Sequence, residues 1–406
     1  MTRLVTSPGV WVAPVALLVL ASRILGAELS GEHYPVAVVA ADVAAVALIA
    51  PLVALAGAWE GAKIRSARVL VLPRVRSAWR VALEPIAASV VPAALILVVF
   101  TAVDARARGV DWAVIAGGAL TLTAWGVAGF GLGCLVPAVL ALPLALLVAA
   151  VWLIYPRTIE PLWLRHLTGA WNGCCMIDQS LSPRAMLAAG IVAVGTAAAG
   201  GALVWAATAA VRRSRAAGAV AVGLALAALA ASVVGGSLLV RSFGADPVVP
   251  RSDPTNCDSG TPALCLWPEH EAIRGGVRQA LDESVRAWES RGVEVPARFD
   301  ERLQWREGAG VPLYVSSRGD TQDWKVSFAG AMVATVACPS PKGDQATGGR
   351  DSSAAWAWLW VVAGGEAAGV PDRFTLPAAQ RASELLADPD AATWVNDVIV
   401  QAGHCP

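Results

Sequence analysis

Seven apolar runs, each about as long as a bilayer is thick, occupy the first 240 residues of this chain. A helix needs roughly 20 apolar residues to cross about 30 Å of hydrocarbon, because each residue adds only about 1.5 Å. The predicted spans are residues 4–22, 36–58, 85–103, 112–133, 138–155, 186–210 and 216–240. Charged residues make up only 15% of the chain, against roughly 25% in soluble domains. The sequence therefore predicts a polytopic α-helical membrane protein with about seven transmembrane helices.

Two places in this series of runs leave an alternative open. Between Trp112 and Pro156 no charged residue occurs, and only Gly133 and Pro137 interrupt the apolar sequence, so we predict a tight hairpin between the fourth and fifth spans. A re-entrant pair would still emerge on one side of the membrane and would leave the remaining topology unchanged. The first run, which follows Arg3, has the alternative interpretation of a cleaved signal sequence, although it is long for such a segment.

The basic residues between the spans predict the orientation of the chain. Residues 59–80 read WEGAKIRSARVLVLPRVRSAWR and contain six basic side chains and one acid, Glu60. With the amino terminus inside, the inner segments hold ten Lys and Arg residues and the outer loops hold six. Because basic residues in short loops favour the cytoplasmic side, we expect the loop 59–84 to be cytoplasmic and everything after Val240 to lie outside. This pattern is typical of a multi-pass plasma-membrane protein.

The net charge of the chain divides at the same point. Residues 1–240 carry a net charge of +7, from 16 basic and 9 acidic residues, and residues 241–406 carry −7, from 15 and 22. Such an asymmetry is typical of two regions that lie in different solvents. We therefore predict a transmembrane domain (1–240), a Pro- and Asp-rich linker (241–256) and a folded extracytoplasmic domain (257–406).

Four cysteines lie in the carboxy-terminal region, namely Cys257, Cys265, Cys338 and Cys405. An even number of cysteines in an oxidising compartment indicates disulfides. Three pairings are open, and we favour Cys257 with Cys265 and Cys338 with Cys405. A zinc site that combines some of them with His270 and His404 is the alternative, but no CxxC or HxxxH spacing supports it.

The external region has the pattern of an α+β domain. After CLWPEHEA, a helix begins near Pro268, which suits a first helical position, and apolar residues recur at helical spacing until Gly292. Short strand-like runs follow at 312–316 and 324–328, and helical patterns return at 354–363, 377–387 and 391–402. Trp356, Trp358 and Trp360 alternate along the chain, which favours burial on two sides over an exposed binding patch.

No catalytic or cofactor-binding motif occurs in the sequence. His270 and Glu271 begin like the zinc-protease motif HExxH, but Arg274 stands where the second histidine ligand belongs. Neither the ATP-binding loop GxxxxGK[ST] nor the nucleophile motif GxSxG is present. GFGLG at 129–133 lies inside an apolar span, where small residues four apart let helices pack closely. We therefore expect no enzymatic activity, no metal or other cofactor and no nucleic-acid partner.

Asp42 is an acid within a predicted span. It lies some seven residues into the second span, which is only about 10 Å from the outer end at about 1.5 Å per residue. Ionisable groups inside a membrane are costly, and this makes Asp42 a functional candidate. The alternatives are that its carboxylate reaches the interface or pairs with Arg23. A proton relay would need a second such group, and the predicted spans contain none.

The basic inner loop, with its Trp and Pro residues, and the Gly-rich sequence AWGVAGFGLGCLVPAVLALPLALL, which runs from the fourth span into the fifth, resemble permease subunits of actinobacterial ABC-type (ABC-2-like) exporters. The resemblance covers about residues 1–210. The external region, from CLWPEHEA to the terminal HCP, is similar to uncharacterised extracytoplasmic domains fused to such proteins. The chain departs from this family in its seven predicted spans, where six are usual, and in its few residues before the first span, where the family has an interfacial helix.

This resemblance implies both a function and partners. The chain would be the permease-like subunit of a two-component exporter, with the ATPase on a separate chain and with a homo- or hetero-dimer of permease subunits in the membrane. In these exporters the loop between spans two and three packs on the ATPase, which assigns that role to residues 59–83. The candidate docking residues are Val69, Leu70, Leu72, Arg74, Arg76 and Trp79.

Two alternatives to this interpretation stay open at the level of the sequence. The same loop would also be attracted to anionic lipid, by about 1 kcal/mol per basic residue, without any protein partner. The second alternative concerns the whole protein, which would be a non-transporting anchor that presents a binding or sensory domain outside the cell.

Overall fold

The computed structural model describes residues 7–30, 34–68, 78–105, 110–171, 174–211, 214–302, 310–333, 350–366 and 374–402. The chain forms two compact units, of which the first ends at Val249 and the second begins at Pro250. Each unit is described by itself below.

The first unit is helical. Its helices are α1 (Pro8–Ser30), α2 (Pro35–Ala44), α3 (Val46–Ser66), α4 (Ala78–Asp104), α5 (Trp112–Leu135), α6 (Ala138–Ile154), α7 (Pro183–Val211) and α8 (Arg215–Val240). Helices α2 and α3 follow each other with only Ala45 between them. The predicted hairpin between the fourth and fifth spans is present, since α5 ends at Leu135 and Pro137 caps the start of α6.

Within the described ranges, six helical segments are long and apolar enough to cross a membrane: Pro35–Ser66, Arg80–Asp104, Trp112–Leu135, Ala138–Arg157, Pro183–Ala209 and Arg215–Val240. They correspond to the second to seventh predicted spans, and the prediction of a helical membrane protein is confirmed. The first predicted span falls on α1, whose apolar part Pro8–Ser22 is shorter than this length. The count of seven spans therefore stays a prediction.

A folded segment connects α6 to α7. It contains 3₁₀ turns at Tyr155–Arg157 and Leu162–Leu167 and the strand β1 (Gln179–Leu181). His166 is buried in it, with its Nε2 atom 2.9 Å from the Gly244 carbonyl oxygen, and burial lowers the pKa of its imidazole. The amide of Ser182 donates a hydrogen bond to the Pro247 carbonyl at 2.8 Å. These bonds hold the first part of the segment that composition predicts as a linker.

The second unit combines a small mixed sheet with helices, as the α+β prediction requires. The strands are β3 (Asn256–Cys257), β4 (Ala263–Leu266), β5 (Arg298–Asp300) and β6 (Gly310–Pro312), and β2 (Val248–Pro250) belongs to a separate two-stranded sheet with β1. β3 is antiparallel to β4, while β4, β5 and β6 are parallel in that order. The helices are α9 (Arg274–Glu289), α10 (Thr321–Val333), α11 (Arg350–Val362), α12 (Leu376–Leu386) and α13 (Ala391–Ala402).

The core of the second unit lies between this sheet and α9 to α13. The helix predicted after CLWPEHEA begins as a 3₁₀ turn at Pro268 and continues as α9, and Gly292 follows its end with φ +81°. The three helices predicted at 354–363, 377–387 and 391–402 are present as α11, α12 and α13. Large aromatic side chains fill the core, among them Trp267, Trp288 and Phe299.

The strand predicted at 324–328 is wrong, because these residues belong to helix α10. The run WKVSF alternates, but Trp324 and Phe328 are also four residues apart, and this spacing places both on one helical face. The strand predicted at 312–316 is also misplaced, because β6 spans Gly310–Pro312 and residues 313–316 form no strand.

Helix α11 explains the alternating tryptophans. Residues two apart lie on nearly opposite sides of a helix, so burial of the whole series requires neighbours on both sides. Trp358 and Trp360 are fully buried, and Trp356 is half-buried and donates its indole N–H to the Val326 carbonyl at 2.8 Å. Their predicted burial is therefore confirmed.

Candidate functional site

An apolar cavity of about 500 Å³ lies between helices of the first unit. Residues of α3, α5, α6, α7 and α8 form its wall, among them Ala54, Gly129, Val148, Gly200 and Leu229. The lining residues of α7 and α8 come from the middle of these helices, so the cavity lies within the apolar layer of the bundle. Ligand pockets usually have volumes of roughly 300 to 1,000 Å³, and this cavity falls in that range.

The surface of the cavity is almost entirely carbon. Among its lining residues, Thr196 carries the one hydroxyl, and this group donates a hydrogen bond to the Val192 carbonyl at 2.8 Å. The aromatic rings are those of Trp125 and Trp152. None of the described lining residues is charged. Apolar cavities of this kind stay dry, and an ion or a sugar would find no partner for its polar groups, so the cavity suits an apolar guest.

Glycine contacts hold the inner wall of the cavity together. A Cβ atom added to Gly129 would overlap the Ala54 carbonyl oxygen of α3, and one added to Gly200 would lie 2.6 Å from the Cα atom of Ala128 in α5. Both obstacles are backbone atoms, which no rotamer change can move. The interpretation of GFGLG (129–133) as a close-packing motif is therefore confirmed.

The outer wall of the cavity is less tightly closed. Helix α6 packs against α3 and α5, helix α8 packs against α7, and α6 and α8 do not pack along each other although both line the cavity. In the apolar 18-residue stretch of each helix, only 22% of the residues are buried in α6 and 17% in α8, against 67% in Pro35–Ser66. Val148 on α6 and Leu226 on α8 are 49% and 64% exposed. Helices α6 and α8 therefore flank the side of the cavity with the fewest protein contacts, and we call this side the α6–α8 gap.

Asp42, the predicted intramembrane acid, lies on α2 and is only 2% exposed. It does not line the cavity. The structure therefore separates the two intramembrane features, and the functional interpretation of Asp42 stays a prediction.

The predicted ATPase-docking residues Val69, Leu70, Leu72, Arg74 and Arg76 lie outside the described residues. Trp79 belongs to the first turn of α4, and its side chain is not among those described. The docking role of this loop is consequently a proposal and is treated as one below.

The disulfide between Cys257 and Cys265 is present, with an S–S distance of 1.98 Å. Both cysteines lie at paired positions of the antiparallel strands β3 and β4, which brings their side chains together. The other predicted partners, Cys338 and Cys405, lie outside the described residues.

A buried His–Glu pair occupies the start of α9 in the second unit. His270 and Glu301 are 5% and 0% exposed, and the His270 Nδ1 and Glu301 Oε1 atoms are 2.6 Å apart. The backbone N–H of Trp267 donates to Glu301 Oε2 at 2.7 Å. Burial raises the pKa of the Glu301 carboxyl, although its hydrogen bonds act in the opposite direction. Sequence reasoning missed this pair, because its members are 31 residues apart and no local spacing connects them.

Arg251 lies at the start of the second unit and contacts residues within that unit. Its guanidinium donates to both carboxylate oxygens of Glu269 at 3.1 and 2.9 Å and stacks on the Trp267 ring at 4.5 Å from the centroid. Arg251 lies inside the range 241–256 that composition predicts as a linker, and yet its side chain is only 8% exposed. The folded unit thus includes the last residues of that range.

Neither the His–Glu pair nor its surroundings forms a recognisable metal site. Among the described residues there is no group of three or more His, Cys, Asp and Glu side chains that could hold a metal ion. Through its hydrogen bonds, the pair connects the residue that follows β5 to Trp267 and to the 3₁₀ turn Pro268–Ile273, which precedes α9. Its geometry is that of a buried cross-link within the domain.

Residues 264–405 match a protein family described as "Domain of unknown function (DUF7224)". This match covers roughly a third of the chain and coincides with most of the second unit. No curated protein matches the chain, and no solved structure matches it. The family description identifies a recurring domain at the carboxy terminus but assigns no activity to it.

Proposed function

We propose that this chain is the permease-like membrane subunit of a two-component ABC exporter whose ATPase is a separate chain. The observation that carries the proposal is the apolar cavity of about 500 Å³ within the apolar layer of the helix bundle. The resemblance of residues 1–210 to exporter permeases supports it.

The cavity distinguishes a permease from a simple anchor. Protein interiors are packed as densely as organic crystals, and every void forfeits dispersion contacts between its walls. An anchor gains nothing from a void between its helices, whereas a permease needs a place for its substrate within the membrane. The glycine contacts show that α3, α5 and α7 pack closely at the inner wall of this cavity.

The proposed topology places the amino terminus and residues 59–84 in the cytoplasm and the second unit outside the plasma membrane, after seven spans. Exposed aromatic residues support this arrangement, because Trp and Tyr favour both membrane interfaces. Trp11, Trp59 and Trp205 lie toward the proposed inner ends of their helices, and Trp112 and Tyr155 lie at outer ends. The Cys257–Cys265 disulfide also fits an oxidising compartment.

The proposed partner is an ABC-type ATPase that docks on residues 59–83, and a homo- or hetero-dimer of permease subunits would complete the transporter. Lys63, Arg65 and Arg68, at the end of α3, have exposed side chains and would lie beside the docking surface. The direct test is affinity purification of the tagged protein from mild detergent, with mass spectrometry of what accompanies it. An ATPase should be recovered with the wild-type chain.

Replacement of Val69, Leu70 and Leu72 by Ser should release the ATPase, because burial of each large apolar side chain stabilises a complex by roughly 1.5 to 3 kcal/mol. Membrane insertion should be unchanged, since every basic residue that sets the orientation remains. Retained ATPase in this triple variant, or its absence from the wild type, would contradict the docking role.

A matched variant separates docking from lipid attraction. It neutralises four arginines of the loop and keeps its apolar residues: Arg65, Arg68, Arg74 and Arg76. If the loop is attracted only to anionic lipid, this variant should lose membrane-surface binding of the loop, and the Ser variant should behave like the wild type.

The second candidate function is that of a membrane anchor that presents an external binding or sensory domain. The observation in its favour is the separate core of the second unit, which matches a domain family over residues 264–405. Absence of any co-purifying ATPase would favour this function.

A further inference from the structure

We propose that the cavity binds the hydrocarbon chain of a membrane lipid, which enters sideways from the bilayer through the gap between α6 and α8. This proposal rests on the exporter function proposed above, because it names the class of substrate for that function. The lipid-binding site itself is testable independently.

The lining of the cavity selects for hydrocarbon. Its wall offers no charged group among the described residues, and the Thr196 hydroxyl already donates to the Val192 carbonyl. A polar substrate would lose its hydrogen bonds to water without gaining others. A hydrocarbon chain loses nothing on leaving the equally apolar bilayer and gains dispersion contacts with closely spaced walls.

The surroundings of α6 and α8 identify the source of the chain. Both helices also carry exposed apolar residues that do not line the cavity, such as Leu147 and Val151 on α6 and Leu224 on α8. In a membrane, the medium in front of such residues is lipid. The nearest supply of an apolar guest is therefore the acyl chains of the surrounding bilayer.

The shape of the wall also favours a chain over a bulky ring system. Ala54, Gly129 and Gly200 contribute only small side chains or none to the inner wall, and Leu144 and Leu226 contribute larger ones from α6 and α8. A flexible chain adapts to a volume of about 500 Å³ between such helices without displacing them.

The experiment uses the full chain in nanodiscs that contain phosphatidylcholine with a diazirine on one acyl chain. After illumination, peptide mass spectrometry locates the attached lipid. Lipid-facing positions such as Leu224, which is 50% exposed, serve as the internal reference. We expect attachment both there and on the inner wall at Val192, which lines the cavity and is only 3% exposed.

Two matched variants on α8 make the test specific. Leu229→Trp fills the cavity, and Leu224→Trp adds the same ring on the opposite, lipid-facing side of the helix. Attachment at the inner wall should be lost in Leu229→Trp and kept in Leu224→Trp. Size-exclusion chromatography checks that both variants remain folded.

Three outcomes decide the proposal. Wild-type attachment at Leu224 without attachment at the inner wall overturns it, because lipid then does not enter. Cross-links between two copies of the chain across the α6–α8 gap, in place of lipid attachment, also overturn it and identify the gap as a dimer contact. If lipid attaches at the inner wall but no ATPase co-purifies with the protein, the lipid site is supported and the exporter function is rejected.

Discussion

Substitution of Gly133 by Ala tests the close packing that shapes the membrane unit. Gly133 lies on α5 against α3, and an added Cβ atom would overlap the Ala58 carbonyl oxygen. The same atom would lie 2.9 Å from both the Ala58 carbonyl carbon and the Ala62 nitrogen. All three are backbone atoms of a helix, so the methyl group fits only if α3 and α5 move apart.

The expected size of the effect follows from two opposing contributions. Overpacking of a close-packed interface costs about 1 to 3 kcal/mol. Ala is favoured over Gly in a helix interior by about 1 kcal/mol, which offsets part of that cost. We therefore expect Gly133→Ala to lower the free energy of unfolding by up to about 2 kcal/mol, and by about 1 to 3 kcal/mol relative to an Ala substitution that meets no neighbour. Thermal unfolding in nanodiscs, followed by tryptophan fluorescence, measures the change.

Gly117→Ala is the matched control for this experiment. Gly117 lies on the same helix, and a Cβ added there meets no atom within 4 Å. The chemical change is identical but causes no overlap, so only the higher helix propensity of Ala affects the stability. The variant should be as stable as the wild type or more stable by up to about 1 kcal/mol. Equal unfolding temperatures for the two variants would refute the close contact between α3 and α5.

Three further predictions concern topology and the second unit. Cys257→Ser should destabilise this unit by about 2.5 kcal/mol through loss of the short disulfide loop to Cys265, and an unchanged unfolding midpoint would contradict this. Because burial raises the pKa of Glu301, the folded unit holds a proton that the unfolded chain releases once the pH exceeds the ordinary pKa of a glutamate. Stability should therefore fall as pH rises through the folded pKa, and Glu301→Gln should abolish that part of the pH dependence in urea unfolding. In intact cells, an impermeant maleimide should label a cysteine introduced at Ser259 but none at Ser66, and the reverse pattern would invert the proposed topology.

The helices of the membrane unit were predictable because hydrocarbon imposes a simple rule on the sequence. A spanning segment must satisfy its backbone internally and bury about 20 apolar residues, and both requirements are local. The boundary between α5 and α6 was predictable for the same reason, since Pro137 cannot continue the preceding helix. The second unit was harder to predict. In WKVSF (324–328), strand and helix spacing coincide, and burial against Trp356 and the sheet decides for the helix.

The candidate site could not be predicted in the same way. Its residues are ordinary members of apolar helices, and the sequence does not distinguish a glycine that contacts a neighbouring helix from one that meets open space. Gly117 and Gly129 illustrate this, because both lie in α5 and only the second meets another helix. The His270–Glu301 pair is likewise formed by tertiary contact between the residue that follows β5 and the turn before α9, which no periodicity encodes.

The distribution of small residues determines which walls of the cavity can move. Helix α5 lies between α3 and α7, with backbone in contact with backbone at Gly129 and Gly131, so these three helices can shift only together. Helices α6 and α8 have no glycine with so close a backbone contact among those described, and only 22% and 17% of the residues in their apolar 18-residue stretches are buried. Fewer protein contacts are broken when these two helices change position than when α5 does. Any change in the volume of the cavity should therefore involve α6 and α8, the same pair that flanks the gap toward the bilayer.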